Sequence, residues 1–242
     1  MTRAASSSEM NLLLASLPTQ EQRRLLRRLE RVVLHADERL HELGQPVEYV
    51  HFPKKGCLIS VIKNLGDDRS FDAGPVGYEG FIGLEPSLGI GAAQFTAIVR
   101  NSGSALRMKA RALQAAIRSN GKLRRVLQRY AQYLLLLTSQ IAGCNMFHSL
   151  ERHFCSWLLV IHDRIEGDRV EITHAAFANM LGVRRVGITQ AAQKLKQTGL
   201  IGYRWGKLTI LDRPRLEGQA CVCYREVTEA YQRLLDPAWP YR

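Results

Sequence analysis

The chain has 242 residues, of which 46% are hydrophobic, 23% charged and 7% aromatic. At roughly 150 residues per domain this is one to two globular domains, and the mixture excludes a disordered tail, a collagen-like rod and a disulfide-dense miniprotein. The 34 Lys and Arg against 22 Asp and Glu leave a formal charge of +12, which makes nucleic acid and anionic membrane the partner classes to test.

The start, Met1 to Asn11, is polar and Ser-rich, with no apolar stretch of signal-peptide length. Leu12 to Arg31 predicts one short amphipathic helix, with Leu13, Leu17, Leu25, Leu26 and Leu29 set among arginines. From Val32 to about Met108 the texture changes to short apolar runs such as Val47–Pro53, Cys57–Ile62 and Ala97–Arg100. These are separated by turn residues at Leu43–Pro46, Leu65–Asp68 and Asn101–Gly103. Many short strands with glycine turns predict a compact β-sandwich or barrel.

From Ala110 to about Cys144 the glycines nearly vanish, and a single long helix is expected. Leu123, Leu127, Tyr130, Leu134, Leu137, Ile141 and Cys144 are spaced 4, 3, 4, 3, 4, 3. That is a heptad seam for a partner helix, here a second copy of the chain. Val126, Tyr133, Leu135 and Leu136 form a second apolar face, able to pack on the chain's own β domain. The longest strongly apolar run, Tyr133 to Leu137, falls far short of the ~20 residues a membrane span needs. A further helix is expected over Ser149 to His162, with Trp157, Leu158, Leu159 and Ile161, followed by a turn at Glu166-Gly167-Asp168.

The segment after Ile172 carries the most information. Thr173 is placed to N-cap a helix that ends at Gly182, and a second helix follows from Arg184. In the second helix Ile188, Ala192 and Leu195 share one face, leaving Arg184, Arg185, Thr189, Gln190, Gln193 and Lys194 outside. Two short helices around a small-residue turn, the second polar and basic outward, make a helix-turn-helix. Thr198-Gly199 ends that helix, and Leu200 to Leu211 predicts a hairpin turning near Gly206, the position of a wing. Between Ile172 and Arg215 stand eight basic residues (Arg184, Arg185, Lys194, Lys196, Arg204, Lys207, Arg213 and Arg215) and one acid, Asp212. Phosphate binding requires such a concentration of positive charge.

Over nearly its whole length the sequence resembles the Crp/Fnr family of bacterial transcription regulators, the cyclic-AMP receptor protein superfamily. The likeness rests on Leu181-Gly182-Val183-Arg184-Arg185 and Gly199-Leu200-Ile201, and more weakly on Tyr49-Val50-His51-Phe52-Pro53 and Gly80-Phe81-Ile82-Gly83-Leu84. The resemblance implies an α+β chain with an N-terminal cyclic-nucleotide-binding-type β jelly roll, a long dimerisation helix and a C-terminal winged helix-turn-helix. The expected divisions are residues 1–110, 111–144 and 145–242. It also implies a homodimer on a palindromic double-stranded DNA operator, with RNA polymerase as a further partner. Carried over, the base-reading positions are Arg185, Val186 and Gln190, and the phosphate contacts Arg184, Gln193, Lys194 and Arg204. The cyclic-AMP-receptor pattern has Glu and Arg where this chain has Val186 and Gln190, so its operator should differ.

For the effector, the resemblance points to Gly83, Leu84, Phe95, Thr96, Thr138 and Ser139. Members that hold a cyclic phosphate use an Arg-Ser-Ala run, which aligns here as Phe95-Thr96-Ala97, and a Glu that aligns with Leu84. Phenylalanine cannot supply the bidentate guanidinium, and leucine cannot accept from a ribose hydroxyl, so ordinary cyclic-AMP gating is not expected. No cysteine precedes Cys57, which excludes the N-terminal iron–sulfur cluster of the oxygen-sensing branch. His35, His41 and His51 read as surface histidines rather than haem ligands.

The five cysteines, Cys57, Cys144, Cys155, Cys221 and Cys223, lack repeated spacing, and Cys221-x-Cys223 alone is not a tetrahedral zinc pattern. Reduced thiols in a cytoplasmic protein, with no metal and no cofactor, are the simplest reading. Thiol sensing through Cys144 or Cys155 stays open. As an enzyme the chain offers little. It has no G-x-S-x-G elbow and no phosphate-cradling loop, and His148 and His153 are five apart, off the spacing of an H-E-x-x-H face. The expectation is a non-enzymatic, sequence-specific regulator. The runner-up is an effector-binding sensor with weak or vestigial DNA binding.

Overall fold

A computed structural model describes residues 10–66, 69–170, 172–204 and 207–235. The single helix expected over Leu12–Arg31 is two, α1 (Leu12–Ala15) and α2 (Thr19–Leu26). Pro18 stands between them, and without an N–H it cannot continue the first ladder. Asn11, wholly buried, caps α1 through its side-chain oxygen. Its Nδ2 donates to the carbonyls of Pro53 (3.0 Å) and Gly80 (2.7 Å), which pins the chain start to the β domain.

Seven strands follow: β1 (Glu30–Leu34), β2 (Arg39–His41), β3 (Tyr49–Pro53), β4 (Leu58–Gly66), β5 (Arg69–Val76), β6 (Thr96–Asn101) and β7 (Gly103–Lys109). They pair antiparallel in two sheets, ordered β1-β7-β3 and β2-β6-β4-β5. Leu34, Ile59, Val76, Val99 and Ala105 share one core cluster of this sandwich. Val50, Phe52, Phe81 and Met108 form a second one with the helices, where Phe52 and Phe81 stack at 5.3 Å.

The helix expected from Ala110 to Cys144 breaks at Asn120 into α3 (Ala110–Ser119) and α4 (Gly121–Phe147). Asn120 is extended, and its side-chain oxygen accepts from the N–H groups of Lys122 and Leu123, so it starts a new helix instead of continuing the old one. Along α4 the proposed seam needs correction. Leu123, Leu127 and Tyr130 are 1–3% exposed and lie in the core shared with the β domain, so they are not available to a second copy. Leu134 and Leu137 are half-buried against the same core, and Ile141 packs toward the C-terminal domain.

The remaining elements are α5 (Leu150–His162), β8 (Arg169–Val170), α6 (His174–Leu181), α7 (Arg185–Gln197), β9 (Ile201–Arg204), β10 (Lys207–Ile210), α8 (Arg213–Gln219) and α9 (Val222–Leu235). The last helix packs back along α4, where Tyr133 and Tyr231 meet edge to face at 5.1 Å. Among the described residues no helix is long and apolar enough to cross a membrane.

A buried ion pair joins the two halves. Arg164, just beyond α5, donates from Nε to Glu79 Oε1 at 2.8 Å, with both side chains about a tenth exposed or less. Glu79 also accepts from the Gly77 N–H at 3.2 Å, and the Gly56 N–H donates to the Arg164 carbonyl at 3.0 Å. Leu58 of β4 belongs to the core of the C-terminal half, so apolar packing crosses the same boundary. Glu79→Ala leaves a buried guanidinium unpaired and should lower unfolding stability by about 3–5 kcal/mol. Pairing Glu79→Leu with Arg164→Met should recover most of that loss in urea denaturation. A loss below about 1 kcal/mol for Glu79→Ala would show that the pair does not hold the halves together.

Candidate nucleic-acid interface

The helix-turn-helix is built as its residues dictate. Thr173 Oγ1 accepts from the Ala176 N–H at 3.2 Å and caps α6. Gly182 ends that helix at φ 66°, ψ 31°, a left-handed conformation in which a side chain would be strained. Its N–H and that of Val183 both turn back to the Ala178 carbonyl. Ile188, Ala191, Ala192 and Leu195 bury one face of α7 against α5 and α6.

The opposite face is open. Arg184, Arg185, Val186, Thr189, Gln190, Gln193, Lys194 and Lys196 are all exposed, and Val186, an apolar residue, is 61% exposed on a polar surface. Beside it β8, β10 and β9 form a three-stranded sheet in that order, with Arg204 and Lys207 exposed at the end of the β9–β10 hairpin. The hairpin turn expected near Gly206 lies outside the described residues. The base-reading and phosphate-contact positions expected from sequence are thus all exposed.

Several contacts could not be read from spacing. His174, at the start of α6, stacks on the Tyr203 ring of the wing at 4.3 Å, and its Nδ1 lies 3.1 Å from Thr189 Oγ1 on α7. Burial, and behind it the charge of Arg185, hold His174 below the ordinary histidine pKa, so a neutral ring links wing to helix. Lys194 is engaged with Glu151 of α5 at 3.2 Å, an acid that the fold brings in from outside the basic segment. Arg213, counted among the eight basic residues, is turned inward to Asp163 (2.7 Å), Glu217 (2.9 Å) and the Tyr224 hydroxyl (2.9 Å).

A second feature lies in the β domain. Gly83, Leu84, Phe95 and Thr138 line a cavity of about 390 Å³ closed on one side by Tyr130, Tyr133 and Leu134 of α4. Thr96 and Ser139 are not part of its lining. The Thr96 hydroxyl accepts from the Leu43 N–H, and the Ser139 hydroxyl donates to the Leu135 carbonyl on its own helix. Among the described lining residues the charged side chains are carboxylates, Glu79 and Glu85, with no arginine or lysine.

Residues 152–218 match the family model of the Crp-like helix-turn-helix domain. By sequence, no curated protein matches the chain. Among solved structures, FixK2 from Bradyrhizobium japonicum aligns with a TM-score of 0.64 at 18% identity, over 80% of this chain and 98% of that one. TTHB099, a transcriptional regulator of the CRP family from Thermus thermophilus, gives 0.64 at 19%, over 79% and 96%. CLP from Xanthomonas campestris, a c-di-GMP responsive global regulator, gives 0.62 at 16%, over 81% and 100%. The chain therefore has the fold of the Crp/Fnr-type DNA-binding transcription regulators and carries a Crp-like helix-turn-helix domain.

Two histidines expected at the surface prove to be buried. His41, at the cavity wall, bonds the Tyr49 carbonyl at 2.8 Å, and His51 is 4% exposed with Nδ1 unpartnered. Burial first, then the neighbouring His41 and Arg107, push His51 down to about 3. Its ring stays neutral in the folded chain while the unfolded chain protonates near pH 6.5, so stability is lost as pH falls through that interval. Between pH 7 and pH 5 His51 should account for about 2 kcal/mol of lost stability. His51→Leu should flatten the denaturation midpoint over that range by a matching amount, and an unchanged slope would refute the assignment.

Proposed function

We propose that the protein is a homodimeric, sequence-specific, double-stranded-DNA-binding transcription regulator that works in the cytoplasm and has no catalytic role. The observation that carries this reading is the exposed outer face of α7, bordered by the wing and free of acidic residues along its length. Inserted in a major groove, Arg185 would bond guanine O6 and N7 together, Gln190 adenine N6 and N7, and Val186 a thymine methyl. Exposure of Val186 costs the free protein solvation, which contact with a methyl group would offset. Arg184, Gln193, Lys194 and Arg204 would hold phosphates and set register, Lys194 by leaving Glu151.

The dimer seam consistent with the packing lies one to two residues further along α4 than the expected one. Leu135, Ser139, Ala142 and Met146 recur at 4, 3 and 4 along the exposed side of α4, with Leu136 beside them. Leu135 is 62% and Met146 75% exposed, and the Ser139 hydroxyl is already satisfied by its own helix. A second copy laid along this stripe would place two α7 helices on half-sites about 34–36 Å apart, so the operator would be palindromic. RNA polymerase would be the further partner of such a complex at a promoter.

The β-domain cavity supports no cyclic-AMP gating, because none of its described lining residues is a cation that could pair with a phosphate. The c-di-GMP response named for CLP is accordingly not carried over to this cavity. The open α7 face also disfavours the reading of a sensor with vestigial DNA binding. Arg185→Ala should cost about 1–3 kcal/mol on the operator and relax preference at one base pair. Arg204→Ala should weaken all sequences alike and reduce the salt slope by about 1. Equal losses for Arg185→Ala on operator and random duplex would defeat its base-reading role.

A further inference from the structure

Cysteine and histidine side chains from opposite ends of the sequence meet where α4, α5 and α9 converge. Cys144 and His148 sit one helical turn apart at the end of α4, and Cys221 and Cys223 flank Val222, the first residue of α9. The three Sγ atoms and the nearer imidazole nitrogen all lie within 4.8 Å of one another. Cys144 and Cys221 are 3.4 Å apart, and Cys223 Sγ stands 3.3 Å from His148 Nδ1. The three cysteines are 2–6% exposed and form a core cluster of their own. Cys57 and Cys155, by contrast, pack among aliphatic and aromatic side chains elsewhere.

We propose that Cys144, His148, Cys221 and Cys223 bind one zinc ion tetrahedrally and so clasp the start of α9 to the joint between α4 and α5. Three thiolates and an imidazole are a closed ligand set of the structural kind, with no open position for substrate. Ligand atoms at ~2.3 Å (S) and ~2.1 Å (N) from zinc stand roughly 3.5–3.8 Å apart at a tetrahedral angle. The observed separations bracket that span, and side-chain rotations of about an ångström close the longest edge. A surrounding shell is already in place. The Gln140 amide donates to Cys223 Sγ at 3.1 Å. Ser156 of α5 holds Cys221 twice, with its Oγ 2.9 Å from Sγ and accepting from the Cys221 N–H at 3.1 Å. Outer partners of this kind orient metal ligands.

A disulfide is the rival use of these residues. It would join Cys144 to Cys221 at about 2.05 Å and leave the Cys223–His148 approach without a purpose. A metal accounts for all four groups at once. Binding takes the three cysteines as thiolates, with any thiol protons passing to solvent, and the lone pair of His148 Nδ1. No electron transfer is involved.

The whole chain, purified without chelator, should carry one zinc per chain by elemental analysis. After chelator stripping, titration with Co2+ should give tetrahedral d–d absorption and a thiolate-to-cobalt charge-transfer band, both saturating at one equivalent. Cys221→Ser and His148→Ala should lose or reshape these bands, whereas Cys57→Ser and Cys155→Ser should keep them. Because a buried substitution can unfold the chain, the wild-type protein supplies a second readout. Zinc should shield three of its five cysteines from alkylation, and chelator should expose them. The proposal is overturned by sub-stoichiometric zinc with no charge-transfer band, by bands left unchanged in Cys221→Ser, or by a Cys144–Cys221 disulfide found in the anaerobically purified chain.

Discussion

The arrangement of this molecule depends on one desolvated contact, the ion pair between Arg164 and Glu79. It lies where the end of α5 meets the loop after β5, and it joins the helix-turn-helix half to the β domain. The contact needs a glycine beside it. A Cβ on Gly77 would stand 2.8 Å from Arg164 Cγ, and only without one does the backbone come close enough to donate to Glu79. The Tyr231 hydroxyl donates to the Glu79 carbonyl at 2.7 Å, so α9 is drawn to the same point. Burying two charges is costly, and the return is specificity: an arginine without its carboxylate there is penalised, so alternative domain placements are disfavoured.

From that joint the rest follows in order. α9 runs back along α4 from the cysteine cluster to Tyr133, and it covers a side of α4 that would otherwise face water or a partner. Leu123, Leu127 and Tyr130 are taken up by the chain's own core, which leaves the Leu135–Met146 stripe as the unpartnered apolar face. At the far end α7 divides its labour by side. Aliphatic residues anchor it to α5 and α6, and the charged and amide side chains stay outside, where His174 and Tyr203 fix the wing beside them.

Local chemistry made the helix-turn-helix legible in sequence. Thr173, Gly182 and the Ile188–Ala192–Leu195 spacing each specify geometry within a few residues, and the structure places them as expected. The all-β character of this domain was legible from its short runs and turns, while the choice of two sheets over a barrel and the strand order were not, since pairing joins residues far apart in the chain. The break at Asn120 was hidden because asparagine is tolerated inside helices, and its capping role is set by Glu21, which accepts from its Nδ2 at 2.7 Å. The heptad from Leu123 to Ile141 correctly marked an apolar face but could not say what covers it. Periodicity is the same whether the cover is a second copy or the chain's own β domain. The Cys144–His148 and Cys221–Cys223 pairs carry no signal singly, and only the return of α9 brings them together.

On the proposed function, α7 reads a base sequence from a two-fold symmetric platform. The most direct test is selection from a random duplex pool by the full-length protein, without added ligand, at about physiological salt. The expected result is enrichment of a palindrome whose half-sites lie one helical turn apart, with guanine and adenine at the positions facing Arg185 and Gln190. Enrichment of no sequence, with binding that is uniform across the pool and simply fades as salt rises, would contradict it.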